Sequence, residues 1–439
     1  MNLDWTIIGV IVAIIIAIPS TVIGIKQLIR TPKSDNLSRF TSSKYKDLEK
    51  RLKDAKSAIE QEDLLLYIKW KYRGEPILER CGYIYPVAVY PAERSQREDF
   101  QSILKVPLNK EEEDISSLII DNDEYLSLVN SLKPGKVLTL GKDVNTYTYA
   151  LKSLSVNGKL QLECKLGRYF TTFRSCEILE WEIRSKVNKL KGRSEQHFQA
   201  FDRKLYLRKR LHQHISNPVL DGNGRSPAIG ISVLIAYKDQ GAMKLLTKRR
   251  SSKGVPLRAG LLHVVPGFMF QPTTQDVDYE FNITHNVYRE YLEELFNLPE
   301  NFHSNRHANH FGSDKRLVYL KNLIAEGNAK LYFTGITINL LNLRPEICML
   351  LSITTPEWYE KCQNDPELRW DLNDEFFNIH RAEDEGIVKQ TELVENPSFS
   401  TDDNQILRDA HIYPDRTVPA GAGAFWLGID LLKELLPST

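Results

Sequence analysis

The first 25 residues constrain this chain more than any other segment, because they indicate whether lipid or water surrounds its N-terminus. Trp5 to Ile25 contains no charged residue over 21 positions. A helix rises about 1.5 Å per residue, so this length can just cross a hydrocarbon core about 30 Å thick. The segment lacks the basic start and the small-residue cleavage site of a signal peptide. It therefore predicts one N-terminal transmembrane helix, with Pro19 placed to kink it near its end.

The flanks of this segment predict its orientation. Asp4 precedes it, whereas a series of basic residues follows it: Lys26, Arg30, Lys33, Arg39, Lys44 and Lys46. Basic flanks stay on the cytoplasmic side of a membrane. We therefore expect a single-pass membrane protein, anchored through residues 5–25, with the bulk of the chain in the cytoplasm. The five cysteines are widely spaced without a Cys-x-x-Cys pair, which favours reduced thiols over disulfides or a zinc site.

Length and composition indicate two folded domains after the anchor. The chain has 439 residues, and 42% of them are hydrophobic, which is enough for sizeable cores. The net charge of +1 does not favour a nucleic-acid partner, and the composition leaves a homo-oligomer open. We predict an anchor over residues 1–30, a linker and charged helix over 31–72, an α+β domain of unknown role over 73–215, and another domain over 225–439.

The first of these domains contains clear local signals. Asn157-Gly158 lies between two alternating runs of apolar residues, which predicts a β-hairpin within 137–166. Cys176 to Leu190 has the spacing of a helix. Arg203 to Arg210 is basic and interleaved with Leu and Tyr, so it predicts an amphipathic linking helix, a phosphate-binding helix or a helix near an anionic membrane surface. Ser216 to Pro227 is rich in Pro, Gly and Asn and marks the predicted domain boundary.

The second domain alternates strand and helix patterns. Apolar runs predict strands over Ile229–Tyr237, Lys244–Arg249, Leu261–Phe270, Ile336–Leu343 and Ile347–Ile353. Between the third and fourth strands, a helix is predicted with Asn282 or Thr284 as its N-cap. Gly421 to Leu436 predicts a turn of small residues followed by a final helix.

The most informative stretch of that middle helix is Arg289-Glu290-Tyr291-Leu292-Glu293-Glu294. Residues four apart are neighbours on a helix surface, so Glu290 and Glu294 share one face, and Arg289 and Glu293 form a second pair. Carboxylate oxygens suit a hard divalent cation such as Mg²⁺. The alternative is a solvated, ion-paired helix face, since charged pairs at this spacing are common.

This stretch resembles the signature of the Nudix hydrolases. That signature is Gly, five residues, Glu, seven residues, and then Arg-Glu-U-x-Glu-Glu-x-Gly-U, where U is a bulky apolar residue. Arg289 to Glu294 matches the helical part at every defined position. Val265-Pro266-Gly267 resembles the strand end that opens the family's loop, and Lys244 to Arg250 resembles the preceding strand. The resemblance covers Arg225 to Leu436.

The chain departs from the signature in three places. Gly267 and Arg289 are 22 positions apart, so the loop carries eight more residues than the signature. Thr273 stands where the loop Glu is expected, and Glu280 is one place off the alternative register. Phe296 replaces the Gly that follows the Glu pair. The long loop, Met269 to Phe281, is either a solvated insertion, a source of extra ligands or a lid.

The resemblance implies a fold and a reaction. The fold is an α/β/α sandwich with a mixed sheet, here preceded by an α+β domain and the transmembrane helix. The reaction is hydrolysis of a nucleoside diphosphate linked to another group, with Mg²⁺, or alternatively Mn²⁺, as cofactor. Glu290 and Glu294 are expected to bind the metal together with the backbone carbonyl near Pro266-Gly267, and Glu290, Arg289 and Glu293 to take the catalytic roles.

A second interpretation belongs to a different class of protein. A Nudix-like domain can bind a nucleotide-type small molecule with little or no turnover and pass a signal to the membrane. The intact Arg289 to Glu294 set favours the hydrolase, whereas the stretched loop and Phe296 favour the binding module.

Overall fold

The computed structural model of the chain describes residues 62–110, 146–249, 261–298, 309–370, 377–378, 391–392 and 394–436. The predicted anchor and linker, and the predicted charged helix before residue 62, lie outside these ranges. Within them, no helix combines the length and the apolar character needed to cross a membrane.

The strands, in chain order, are β1 (Ile77–Arg80), β2 (Tyr83–Pro91), β3 (Leu104–Asn109), β4 (Tyr147–Ser155), β5 (Gln161–Arg168), β6 (Gly230–Asp239), β7 (Ala242–Arg249), β8 (Leu262–Val264), β9 (Gly267–Met269), β10 (Ala329–Asn339), β11 (Arg344–Ile353), β12 (Phe377–Asn378), β13 (Thr391–Glu392) and β14 (Val394–Glu395).

The α-helices are α1 (Glu62–Lys71), α2 (Tyr169–Thr172), α3 (Ile178–Lys186), α4 (Glu195–Asp202), α5 (Tyr206–His214), α6 (Ile283–Phe296), α7 (Lys315–Ala325), α8 (Glu357–Asn364), α9 (Asp403–Ala410) and α10 (Pro419–Leu435). A π-helical turn, Phe173–Glu177, joins α2 to α3, and 3-10 turns cover Arg94–Gln96, Phe100–Ile103 and Val187–Lys189.

The main sheet is mixed, as predicted. Its strand order is β1-β2-β10-β11-β6-β7-β14, with β8 beside β7 and β9 beside β6. Strands β11 and β6 run parallel, with Glu346 opposite Gly230 and Ile353 opposite Tyr237. The pairs β2–β10, β10–β11 and β6–β7 are antiparallel.

Helices cover both faces of this sheet. Along β6, Ile231, Val233 and Ile235 point into the core that contains the apolar side of α6. Leu234 and Ala236 point into a second core with α10. Because successive residues of a strand face opposite sides, a strand buried on both sides is apolar throughout, as 231–236 largely is. The chain is therefore an α/β protein with a mixed sheet between helices.

A smaller sheet, in the order β3-β5-β4, lies in the first predicted domain. Its β4–β5 hairpin is the one predicted from Asn157-Gly158, and Gly158 has φ of 86°, a conformation that glycine adopts without a steric penalty. The hairpin is bonded to the main sheet, because Tyr149 N–H donates to Phe270 O at 3.0 Å and Tyr149 O accepts from Ile229 N–H at 2.9 Å.

The predicted boundary segment, 216–227, is bonded into this junction. Gly222 N–H donates to Lys152 O at 2.9 Å. The guanidinium of Arg225 is buried and donates to Leu343 O at 3.2 Å and Pro218 O at 2.6 Å. Strand β2, from the first predicted domain, pairs with β10 of the second. One sheet thus includes strands from both predicted domains. The exact limits of the two domains stay a prediction.

The expected turn of small residues near the C-terminus is wrong. Helix α10 begins at Pro419 and includes Gly421 and Gly423. A Cβ at Gly423 would lie 2.6 Å from Thr337 Cγ2, and one at Gly428 would lie 2.7 Å from Leu234 Cδ2. The glycines belong to the helix because it packs closely on β10 and β6, where a larger side chain would collide.

Candidate functional site

Helix α6 carries the Arg289 to Glu294 stretch. It begins after Asn282, whose side chain accepts a hydrogen bond from His285 N–H at 2.9 Å, so this N-cap prediction is confirmed. It ends at Asn297, which adopts the left-handed conformation with φ of 52°. Val287, Tyr291 and Leu295 lie in the core. The alternative of a solvated helix face is wrong, because the whole Arg289 to Glu294 stretch is buried.

Arg289 is the centre of the charged cluster. Its Nη2 donates to Glu290 Oε1 at 2.9 Å, and its Nη1 lies 3.3 Å from both Glu280 Oε2 and Gln271 O. Its Nε lies 3.7 Å from Glu293 Oε1, which is the pair expected at four-residue spacing. Burial alone would lower the pKa of Arg289, but Glu290, Glu293 and Glu280 together raise it. The guanidinium is therefore charged and held among three carboxylates.

Glu280 is the residue of this cluster that the signature did not assign. Its carboxylate accepts hydrogen bonds from the N–H and hydroxyl groups of Thr273 and Thr274, with Thr273 N at 2.8 Å and Thr274 N at 2.7 Å. Its side chain is fully buried. Both ends of the long loop therefore meet at Glu280. The available signal was an acidic residue directly before Phe281 and the helix start.

Glu294 has different partners. One of its oxygens pairs with Lys248 Nζ on β7, and the other accepts a hydrogen bond from Gly267 N–H at 3.1 Å. Gly267 thus contacts a predicted metal ligand through its N–H. The metal-binding role of the carbonyl near Pro266-Gly267 stays a prediction. A Cβ at Gly267 would lie 2.5 Å from the His263 ring, so a larger residue would collide there.

The cluster as a whole is buried and acidic. Glu280, Glu290, Glu293, Glu294, Arg289 and Lys248 are each at most 8% exposed. In the part of the chain that the structure describes, four carboxylates meet two cations. His285 Nε2 lies 4.0 Å from Glu280 Oε2. Burial and then Arg289 lower the pKa of His285 to about 4, so this ring is neutral at pH 7.

The carboxylates do not converge on one point. Among the described residues, no three His, Cys, Asp or Glu side chains are arranged to hold a metal ion. Glu280 and Glu290 contact Arg289, whereas Glu294 contacts Lys248 and the backbone at Gly267. The oxygen donors that a hard cation needs are present, but Glu294 is engaged by an ammonium group.

Several buried polar atoms near this cluster have no hydrogen-bond partner among the residues that the structure describes. They are Gln271 Oε1, His285 Nε2, Asn286 Oδ1, Arg289 Nε and His310 Nδ1. Leaving such atoms unpaired costs free energy, and native proteins do so sparingly. The loop and the first half of α6 therefore contain several buried donors and acceptors without a hydrogen-bond partner among the described residues.

The basic helix of the first predicted domain, α5, contacts the protein interior through Arg208. Arg208 on α5 is fully buried and donates to Leu340 O at 3.1 Å, as well as to Leu341 O and the Tyr72 hydroxyl. His212 Nε2 lies 3.5 Å from the same hydroxyl. Arg208 is thus a structural residue that joins α5 to the β10–β11 turn, which favours the linking-helix interpretation for this position.

Comparisons with known proteins do not assign a family. No protein-family model matches the chain, and a search of curated proteins returns no significant match.

Proposed function

We propose that this chain is a Nudix-like hydrolase that cleaves a nucleoside diphosphate linked to another group, with Mg²⁺ or Mn²⁺ as cofactor and a membrane anchor at its N-terminus. The observation that carries the proposal is the cluster of four buried carboxylates around Arg289 and Lys248. Buried carboxylates are stable only with cationic or hydrogen-bonding partners. A divalent cation is a partner that carboxylate oxygens bind well.

The donor chemistry fits such a cation. Glu290 and Glu294 would hold it, with the backbone near Gly267, since hard cations prefer oxygen ligands. When bound, a divalent cation neutralises pyrophosphate oxygens and lowers the pKa of a coordinated water. Glu290, or a carboxylate from another loop, would accept the proton of the attacking water. Arg289 would hold Glu290 and Glu293 in position through its fixed, planar donors.

A second candidate function is nucleotide binding without turnover. The observation that favours it is the Lys248–Glu294 ion pair, in which an ammonium group already partners a predicted metal ligand. In that case the domain would bind its nucleotide and transmit the bound state toward the anchor.

One experiment separates the two candidates. The full-length protein is incubated with Mg²⁺ and ADP-ribose, NAD, dinucleoside polyphosphates or nucleoside triphosphates, and products are separated by chromatography. Calorimetry on the same compounds measures binding. Hydrolysis that requires Mg²⁺ supports the enzyme, and binding without products supports the binding module. Neither hydrolysis nor binding of any of these compounds would reject both.

A further inference from the structure

Lys248 is a second residue of the site, besides Glu280, that the signature does not assign. It lies on β7, where its backbone is opposite His263 of β8 and Val394 of β14. Its side chain is on the same side of the strand as Leu246, which packs in the core beneath α6. Only 2% of Lys248 is exposed. A lysine ammonium is strongly hydrated, so it is stable at such a position only with an anionic partner.

Glu294, one of the two predicted metal ligands, is such a partner. The two charged groups are in direct contact, and Gly267 N–H holds the other carboxylate oxygen at 3.1 Å. A divalent cation on Glu294 would place its positive charge beside the ammonium group. Like charges at this separation repel strongly in a buried site. Lys248 and the metal therefore compete for the same carboxylate.

We infer that Lys248 is an exchangeable cation that couples metal binding to binding of a pyrophosphate-type ligand; this inference rests on the proposed function. Without ligand, Lys248 holds Glu294. When the diphosphate group enters, Lys248 turns to a phosphate oxygen and leaves Glu294 to the metal. The metal then binds weakly alone and tightly with its phosphate ligand.

Arg289 and Lys248, the two described cations of the cluster, differ in how easily they can change partners. Arg289 is fixed by contacts with Glu280, Glu290 and Gln271 O. Its planar guanidinium cannot leave one partner without disturbing the others. Lys248 has a flexible four-carbon stem and a point charge that binds phosphate as readily as carboxylate. Of the two, Lys248 is the group able to change partners.

The test measures Mn²⁺ binding to the full-length protein by electron paramagnetic resonance, with free Mn²⁺ buffered at known concentrations. Titrations are made with and without imidodiphosphate, an analogue of pyrophosphate that resists hydrolysis. In the wild type we expect imidodiphosphate to tighten Mn²⁺ binding about tenfold, a typical size for coupling between two ligands. In Lys248→Met, Mn²⁺ alone should bind about tenfold tighter, and the effect of imidodiphosphate should fall below about twofold.

Two further variants keep the test decisive. Lys248→Gln retains a hydrogen-bond donor toward Glu294 without the charge, and it replaces Lys248→Met if that protein does not fold. Lys244→Met is the matched control, because Lys244 lies on the same strand and donates to Ser398 Oγ at 2.9 Å. It should leave both Mn²⁺ titrations unchanged.

The possible failures are distinguishable. If the wild type binds Mn²⁺, Glu294→Gln does not, and the folded Lys248 variants match the wild type, Lys248 is only a structural partner and the inference is wrong. If the wild type does not bind Mn²⁺ with or without imidodiphosphate, the proposed hydrolase itself is rejected, and the exchange with it.

Discussion

At the scale of single residues, four of the buried basic side chains fall into two pairs with different partners. Arg208 and Arg225 donate mainly to backbone carbonyls of the β10–β11 turn and the 216–227 segment. Arg289 and Lys248 contact carboxylates of the candidate site. Arg208 and Arg225 therefore connect segments that are distant in sequence, whereas Arg289 and Lys248 contribute to the charge of the candidate site. Substitutions in the two groups should affect different measurements.

The first prediction concerns the proposed metal ligands. Glu290→Gln and Glu294→Gln should each lower Mg²⁺-dependent hydrolysis about 100-fold or more, because each removes a charged ligand or base at nearly constant shape. Glu294→Gln should also cost about 3 kcal/mol of stability, since it leaves Lys248 buried without its carboxylate. The matched control is Glu182→Gln, a buried Glu that accepts from Leu207 N–H at 2.9 Å outside the site. It should lower stability but keep the rate per folded molecule. Unchanged hydrolysis in both site variants would refute the assignment.

The second prediction concerns pH. The pKa of His285 in the folded protein, about 4, lies below its ordinary value of 6.5, because the ring is buried and lies near Arg289. As pH falls, the unfolded chain takes up this proton first. The contribution of neutral His285 to the free energy of unfolding is thus complete above pH 6.5. It is lost as the pH falls from about 6.5 to 4, by at most about 1.4 kcal/mol per pH unit.

Urea unfolding at pH 7.5 and pH 5.0 measures this loss. His285→Gln should lose less stability than the wild type between the two conditions. The exposed His411, changed to Gln, should behave like the wild type. An equal loss in His285→Gln and the wild type would contradict the prediction.

At the scale of elements, the long loop before α6 is packed at its base and exposed at its tip. Phe270, Thr273, Glu280 and Phe281 are buried, whereas Gln275, Asp276, Asp278 and Tyr279 are exposed. The Tyr149 hydroxyl from β4 donates to Val277 O at 2.7 Å. A purely solvated insertion is therefore wrong for the base of this loop, since it carries the partner of Arg289. The tip remains open to the roles of lid or ligand source.

The third prediction follows from this division. Glu280→Ala should cost about 3–5 kcal/mol, because it leaves Arg289 short of a buried partner and removes the acceptor of the Thr273 and Thr274 donors. Asp278→Asn at the exposed tip should stay within about 0.5 kcal/mol. Urea denaturation of both variants provides the comparison. If Glu280→Ala were as stable as Asp278→Asn, the base of the loop would not be packed as described.

At the scale of the whole molecule, one sheet joins the two predicted domains. Strand β2 lies against β10 over Val87 to Pro91, and Arg208 on α5 reaches the carbonyls that follow β10. The main core contains residues from both regions. Removing the first region would expose an edge of the sheet and the core beside it.

The fourth prediction is that residues 225–439 alone do not fold cooperatively, whereas residues 62–439 do. The shorter fragment lacks β2 and the buried Arg208, so β10 would lose its outer neighbour. Circular dichroism during thermal unfolding measures both fragments. A cooperative transition in the shorter fragment, near that of the longer one, would show that it is an independent domain.

The fifth prediction concerns the anchor. The uncharged Trp5 to Ile25 segment should keep the full chain in the membrane pellet after alkaline carbonate extraction. A chain that starts at residue 37 should appear in the soluble fraction. Release of the full chain into the supernatant would rule out an integral anchor.

Local pattern was enough to predict much of this protein. Apolar runs predicted β6 and β7, Asn157-Gly158 predicted the β4–β5 hairpin, and Asn282 predicted the start of α6. The class, an α/β protein with a mixed sheet, was implied by the resemblance to the Nudix hydrolases and agrees with the order of these elements. The local features depend on residues within a few positions of one another, so spacing and turn chemistry report them directly.

The contacts of the site were decided by the tertiary structure. Lys248 is 46 positions from Glu294, and its role became visible only when β7 and α6 were packed together. Glu280 reached Arg289 despite its offset because the loop base folds onto the helix start. The helical glycines of α10 likewise reflect a close approach to β10. The sequence shows which side chains carry a charge. It does not show which of them become partners, because a buried charge pairs with the groups that lie next to it in the low-dielectric interior. Those neighbours depend on the packing of segments that are distant in sequence.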